Sequence, residues 1–473
     1  MLAGIDIGST GVKVALYTEH GTRIGYSYRE YSIRYGSDGS AVISPSIWEK
    51  SIQECFEELK CQYNLKHIQA LGISSANAIV LTDQEGMPVF PAIMQLDKRS
   101  ASMVATIQEK WTQEQIFNMT GNRIAAGYQW GSVLKWLSAY ESEKFKEVRR
   151  IFNPGSYLCY KLTNAYRMDR TRAMTTLLYN AGDKCWDDSL WNYFGMEQVE
   201  KPPILECNDI AGYVKKGTFL PEGIPICMGG VDTICAMPGL TAGKDADVLI
   251  MGSVGRFSLT VQKWDPCFLN TVDWTGQKKI SMTPVNNTGT ALKWIATVLG
   301  GEKDIRLSYE ILNNWAAQVS PGSEGLLFSP FLNGASAPRW NDQIQGGFSG
   351  LKACHTKKHF VRAVMEGTAL ALEENQQILA QIGCDVKKPL YLGGGGAKSR
   401  VWTQIVSDVL QRELLIPESV ETETIGAALL SGIAIGCLKA DSCEEWNRIV
   451  KKVIPDSQYC GVYNDMKVRF SNL

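Results

Sequence analysis

The chain predicts an α/β fold built as two internally duplicated domains, and three observations carry that expectation. Strand-like and helical stretches alternate along it, the pattern of sheets layered with helices. One pattern occurs in each half: an apolar run, Gly-Ser-x-Gly, and a second alternating run. The length, 473 residues, exceeds the size at which a single hydrophobic core keeps growing.

The opening segment, Ala3 to Leu16, sets Gly8-Ser9-Thr10-Gly11 between two β-type runs, with Asp6 at the mouth of the turn. Strict alternation on both sides argues for strands rather than a helix. The glycines let backbone N–H groups and the hydroxyls of Ser9 and Thr10 approach a polyphosphate, whose metal Asp6 would face. A dinucleotide fingerprint is excluded, because it needs glycine where Asp6 stands and a helix immediately after. Alone, the motif fits a tight hairpin with an incidental aspartate equally well. Val248 to Leu259 repeats it, with Ile250 in the place of Asp6. Two such hairpins facing each other across a cleft would grip one polyphosphate from both sides, and only the first could serve a metal.

Between the two hairpins, Gly21 to Tyr35 reads as further strand, and Ser46 to Lys60 has helical spacing from an N-cap serine. Ile68 to Ser74 returns to a buried strand, and alternation continues from Pro91 to Gln108. The stretch from Trp111 to Lys216 is aromatic and helical, which suggests an inserted lobe on the substrate side. Pro221 to Pro225 is turn chemistry before a new strand. The domain boundary is expected near Thr241 to Asp247, giving domains of residues 1–243 and 244–473. Beyond it come a helix from Lys357 to Ile382, a strand from Pro389 to Leu392, and a small-residue helix from Ile425.

Composition removes several function classes. Hydrophobic residues make up 45% and the formal net charge is −1, an ordinary globular profile that argues against a nucleic-acid partner. With no basic leader and no apolar span of membrane length, the expectation is a cytoplasmic protein with no membrane partner. The 13 cysteines are scattered without zinc spacing and read as reduced core thiols, while 4 histidines give no triad or metal site.

Two further motifs carry chemistry. Gly229-Gly230-Val231-Asp232 ends a strand where a substrate must come close. Asp232 would accept a hydroxyl proton as phosphate arrives, or would cap the helix that follows. Gly393 to Ala397, before Lys398 and Ser399, misses a P-loop because Ala397 replaces the penultimate glycine. Such a loop is either a flexible connection or a surface on which adenine or ribose lies against backbone.

Taken in order, Asp6-Ile7-Gly8-Ser9-Thr10, Gly229-Gly230-Val231-Asp232, Gly252-Ser253-Val254, Glu366-Gly367-Thr368-Ala369 and Gly393 to Ser399 with Trp402 and Asp408 resemble the FGGY carbohydrate kinases. Phe331-Leu332-Asn333-Gly334, Ala337-Pro338 and Gly350-Leu351 resemble the xylulokinase-like branch. The resemblance spans nearly the whole chain. It implies two actin-like, ribonuclease H-like domains with a catalytic cleft between them, closing on ATP and a small sugar. It further implies Asp232 as general base and Asp6 holding Mg²⁺ through its water shell. Thr10, Gly252 and Ser253 would face the phosphates, Gly289 would line the nucleotide, and Gly395, Gly396 and Ser399 would contact adenosine. Lys293 would stand near ribose or adenine. Homodimers are common among such proteins.

This chain departs from that branch at the sugar end. Ala76-Asn77-Ala78 replaces Met-His-Gly, and Gln95-Leu96-Asp97 replaces Trp-Asn-Asp. Asp97 keeps the acidic sugar contact, and Asn77 offers hydrogen bonds with a reach different from imidazole. The implied acceptor is a ketopentose such as xylulose. The alternatives are gluconate or another sugar acid or polyol, and, in a different class, a non-catalytic nucleotide-dependent sugar sensor.

Overall fold

The computed structural model describes residues 1–300, 307–341, 343–440 and 443–473. Two compact units divide the chain. The first comprises Met1–Lys244, Leu269–Ile280 and Thr422–Asn447, and the second Asp245–Phe268, Ser281–Glu421 and Arg448–Leu473.

In the first unit a six-stranded mixed sheet runs in the order Ile210–Tyr213, Pro225–Val231, Ala70–Ser75, Leu2–Ile7, Gly11–Tyr17, Arg23–Glu30. Leu2–Ile7 pairs antiparallel with Gly11–Tyr17 and parallel with Ala70–Ser75, which is itself parallel to Pro225–Val231. Leu2–Ile7 is buried throughout, and its period-two alternation gives each face its own neighbours. Ala3, Ile5 and Ile7 join a core with Trp48, Ile52 and Phe56 of the helix Pro45–Lys60. Leu2 packs with Ala428 and Leu429 of the helix Glu423–Ala434. Gly4 and Gly72 admit that helix to backbone contact: a Cβ on Gly4 would lie 2.0 Å from the Thr424 carbonyl oxygen, and one on Gly72 1.9 Å from that of Ala427.

The second unit repeats the strand logic. Val248–Met251 pairs antiparallel with Gly255–Val261 and parallel with Leu390–Gly393, which is parallel to Leu414–Pro417, with Ile449–Val453 antiparallel at that edge. The duplication read from two short motifs is therefore a duplication of sheet topology. Among the described residues no helix is long and apolar enough to cross a membrane.

Local differences from the expected elements have local causes. Ser46 lies inside the helix it was expected to cap: Pro45 occupies the first turn and Ser44 is the N-cap. Proline fixes the helical φ there and lacks the N–H that a first-turn residue would leave unpaired. The Gly21–Tyr35 strand divides into Arg23–Glu30 and Arg34–Tyr35. Between them Tyr31 turns back on the hairpin, its N–H donating to the Thr10 carbonyl and its hydroxyl to that of Gly8. The Trp111–Lys216 stretch is mixed, with helices such as Trp130–Tyr140 and Pro154–Thr163 joined by short strands.

Candidate active site

Asp6 lies near the C-terminal end of its strand, opposite Lys13 and beside Ser74. Ser74 donates to Asp6 Oδ1 at 3.0 Å, and Lys13 Nζ stands 3.5 Å from Oδ2 and 3.9 Å from Glu423. Asp6 is 3% exposed. Burial, and then the negative charge of Glu423 and Asp232, push its carboxyl up to about 7, with Lys13 opposing. The turn itself is closed by Gly8 N–H donating to the Gly11 carbonyl at 3.0 Å, leaving Ser9 half-buried and Thr10 exposed.

Asp232 is the first residue of the helix Asp232–Thr241 and follows directly on the strand Pro225–Val231. It is not the cap: Val231 holds that position, and Asp232 Oδ1 accepts from Thr233, at 2.6 Å from its N–H and 3.1 Å from its hydroxyl. A bulge re-aims the strand just before it, with Gly229 at φ +63°, where a Cβ would fall 1.6 Å from the Ile73 carbonyl oxygen. Asp6 and Asp232 thus sit at the C-terminal ends of two parallel strands separated by one, the position at which open α/β sheets bind ligands.

The expected sugar contacts are firmly tied to protein. Ala76 N–H donates to the Ile7 carbonyl at 2.8 Å, beside the hairpin. The Asn77 amide donates to the Tyr128 carbonyl at 2.8 Å and accepts from Trp130 Nε1 at 3.1 Å, which leaves one N–H and one lone pair for a ligand. Asp97, 3% exposed, accepts from the Ala41 N–H at 2.9 Å and from the Arg99 guanidinium at 2.7 Å.

In the second unit, Gly252, Ser253 and Gly289 come together. Gly289 N–H donates to the Gly252 carbonyl at 3.0 Å, and Thr290 N–H to that of Ser253 at 3.2 Å. Gly289 must be glycine, since a Cβ would stand 2.5 Å from the Gly252 oxygen. Lys293 is exposed one turn along the helix Gly289–Gly300. The glycine loop closes on the same hairpin. Cβ atoms on Gly394 and Gly396 would meet Met251 at 2.7 Å, whereas Gly395 faces open space. Ser399 is occupied as N-cap of the helix Arg400–Leu410, accepting from Trp402 N–H at 3.1 Å and bonding Asn313 at 2.6 Å.

Two charged residues at the site escaped sequence reasoning. Glu423 begins the helix seated on Gly4 and Gly72, and that docking brings it to Lys13 and Asp6. Arg172, which no motif marks within the Trp111–Lys216 stretch, is buried within electrostatic reach of Asp232. The glycines on which that helix rests were the only available signal for the first, and nothing in the pattern marked the second.

Asp6, Asp232 and Glu423 outnumber Lys13 and Arg172, the latter also faced by Asp169, and this surplus of negative charge fits a divalent cation. Among the described residues no cluster of three or more His, Cys, Asp or Glu forms a self-sufficient metal cage. Mg²⁺ shared with nucleotide phosphates needs only one or two carboxylates and waters.

Fold and site together define a sugar kinase of the two-domain actin-like class, a phosphotransferase with an alcohol acceptor. The N-terminal and C-terminal domains of the "FGGY family of carbohydrate kinases" match residues 1–239 and 270–435, and the chain belongs to that family. It is 27% identical to a gluconokinase of Bacillus subtilis (strain 168), over 93% of this chain and 88% of that enzyme. It is 28% identical to a xylulose kinase of Lactococcus lactis, over 93% and 89%. The crystal structure of xylulose kinase from Rhodospirillum rubrum superposes with a TM-score of 0.91 at 26% identity, covering 100% of this chain and 97% of that one. The family implies ATP as phosphoryl donor.

Proposed function

We propose that the protein transfers the γ-phosphoryl group of MgATP to a hydroxyl of a small open-chain sugar or sugar acid, with Asp232 as general base. The observation that carries this reading is the pair Asp6 and Asp232 at the ends of parallel strands beside a glycine-turn hairpin. The acceptor oxygen forms a bond to the γ-phosphorus as the bond to the bridging oxygen of ADP breaks, and the hydroxyl proton passes to an Asp232 carboxylate oxygen. Thr233 holds the other oxygen in place. Asp6 would hold Mg²⁺ through its water shell, and the ion when bound supplies neutralisation of phosphate charge. Ser9 and Thr10 would donate to the phosphates from the first unit, and Gly252, Ser253 and Gly289 from the second. Gly395, Gly396 and Lys293 would contact adenosine, while Ser399 supports that loop as a helix cap. Ala76, Asn77 and Asp97 would bound the acceptor.

The relatives divide between xylulose and gluconate kinases, so a ketopentose such as xylulose and an aldonate such as gluconate are the acceptors to compare. The test is ATP consumption with Mg²⁺ over ketopentoses, ketohexoses, polyols and aldonates, with Asp232→Asn in parallel. Turnover with one class should fall by at least ~10²-fold in the variant, the usual value of a positioned base. Retained turnover removes Asp232 from the role.

A further inference from the structure

The lobe beyond Trp111 contains a cation that the kinase reading leaves without work. Arg172 belongs to the short helix Arg170–Ala173 and is 2% exposed. Its segment is fastened to the strand end that carries Asp232: Thr171 Oγ1 accepts from Val231 N–H at 3.2 Å and donates to Asp169 at 2.5 Å. The guanidinium itself is poorly served. Nη1 reaches Thr175 Oγ1 at 3.4 Å, and the buried Nε–H has no acceptor. Asp169 is the nearest opposite charge, but its hydrogen bonds go to Thr171, to the Arg172 backbone N–H at 2.7 Å and to Asn153 at 2.9 Å, so it balances the guanidinium through space and leaves the Nε–H donor unmet. A buried guanidinium is costly unless its donors are also hydrogen-bonded.

An independent group points the same way. Gln129 is fully buried, and neither end of its amide has a partner. It follows Tyr128, whose carbonyl holds Asn77 and whose side chain lies within electrostatic reach of Arg172. Hydrogen-bonding capacity therefore exceeds what the protein satisfies around the acceptor end.

We propose that Arg172 is a specificity-determining residue that takes the carboxylate of the acceptor, so that the substrate is an open-chain hydroxy acid of the aldonate class rather than a neutral ketose. The inference rests on the kinase reading of the same site. Arginine suits the role because its fork matches a carboxylate and it stays charged when buried. Burial pulls the guanidinium below its ordinary range while the negative charges of Asp169 and Asp232 hold it up, and a ligand carboxylate would give the unmet Nε–H its acceptor. With one hydroxyl at Asp232, a neutral ketose leaves the guanidinium unmatched, and sites built for a polar group reject analogues lacking it by up to ~10⁴-fold.

The full-length protein is assayed with MgATP on D-gluconate and other aldonates and on D- and L-xylulose, as wild type, Arg172→Gln and Arg172→Lys. Calorimetric binding of the aldonate without nucleotide serves as a second readout. Wild type should favour an aldonate by at least ~10²-fold in kcat/KM. Arg172→Gln should raise the aldonate KM by ~10²-fold and weaken its binding equally, a loss at least tenfold greater than any on the ketose, with Arg172→Lys intermediate. Asp232-dependent turnover that favours a neutral ketose overturns the assignment of Arg172 and leaves the kinase reading standing. Equal loss on both acceptors in Arg172→Gln also overturns it. Absence of Asp232-dependent turnover on every acceptor overturns both.

Discussion

Replacing Asp6 by asparagine should make the protein more stable and inactive, and the gain should depend on pH in a direction the structure dictates. The Asp6 carboxyl has an ordinary value of 3.8 and is pushed up to about 7 by burial and the negative charges beside it. Below pH 3.8 it is protonated in folded and unfolded chains alike, and its contribution to stability is complete. As pH rises towards 7 the unfolded chain releases the proton while the folded chain retains it, so stability is lost until the folded group also ionises. That interval corresponds to about 4 kcal/mol at ~1.4 kcal/mol per decade. The amide introduced by Asp6→Asn keeps an acceptor for Ser74 and has no charge to bury. Thermal unfolding with a metal chelator and no nucleotide, at steps from about pH 5 to about pH 8, should give Tm curves that diverge. The variant should lead by up to about 8 °C at the alkaline end, at ~2 °C per kcal/mol for a domain of this size. MgATP should then raise the Tm of the wild type more than that of the variant. Parallel curves across the range would refute the account of Asp6 as a carboxylate held against its own ionisation.

Other outcomes follow from contacts already described. Gly72→Ala places a Cβ 1.9 Å from the Ala427 oxygen and should lower stability by ~3 kcal/mol or more, read as a fall in Tm with loss of activity on mild heating. Gly289→Ala, with 2.5 Å to the Gly252 oxygen, should raise the KM for ATP at least tenfold while the acceptor KM stays within threefold, in steady-state kinetics. Glu366 is fully buried in the second unit and accepts from Arg362 Nε at 2.8 Å, Gly322 N–H at 2.9 Å and Tyr463 at 3.1 Å. Glu366→Ala should cost about 3–5 kcal/mol in calorimetric unfolding, because it strands a buried guanidinium.

The parts of this molecule that could be read from its sequence are those in which neighbours in space are neighbours in the chain. Each hairpin is specified within a dozen residues by alternation and by glycines at the turn, and Asp232 declares itself by following a strand and two glycines. Glu423 could not be found that way. Its place beside Asp6 depends on the faces of two glycines far earlier in the chain, whose missing side chains look like weak strand positions until the helix is seated on them. Asn77 and Asp97 were singled out by the family resemblance as expected sugar contacts, and their engagement by Trp130, Tyr128 and Ala41 is tertiary and invisible to local pattern. Arg172 lies in a run of arginines and threonines that no motif marks, and local pattern carries no information about the strand end that fastens its segment. The Ser46 cap failed for a nearer reason, since Pro45 sets the start of the helix more strongly than a serine can.

The helix Glu423–Ala434 packs on a strand that was synthesised more than four hundred residues earlier. Until it emerges from the ribosome, the glycine faces at positions 4 and 72 have nothing to cover them, and the sheet that carries the Gly8–Gly11 turn is missing one wall. The two duplicated halves cannot therefore mature one after the other, as beads on a string would. A chain cut after Lys244 ends as a sheet with an open face, prone to sticking to other chains. A truncation just before that helix, though it spares Asp6, Ser74 and Asp232, still removes the wall against which the strands of Asp6 and Ser74 pack.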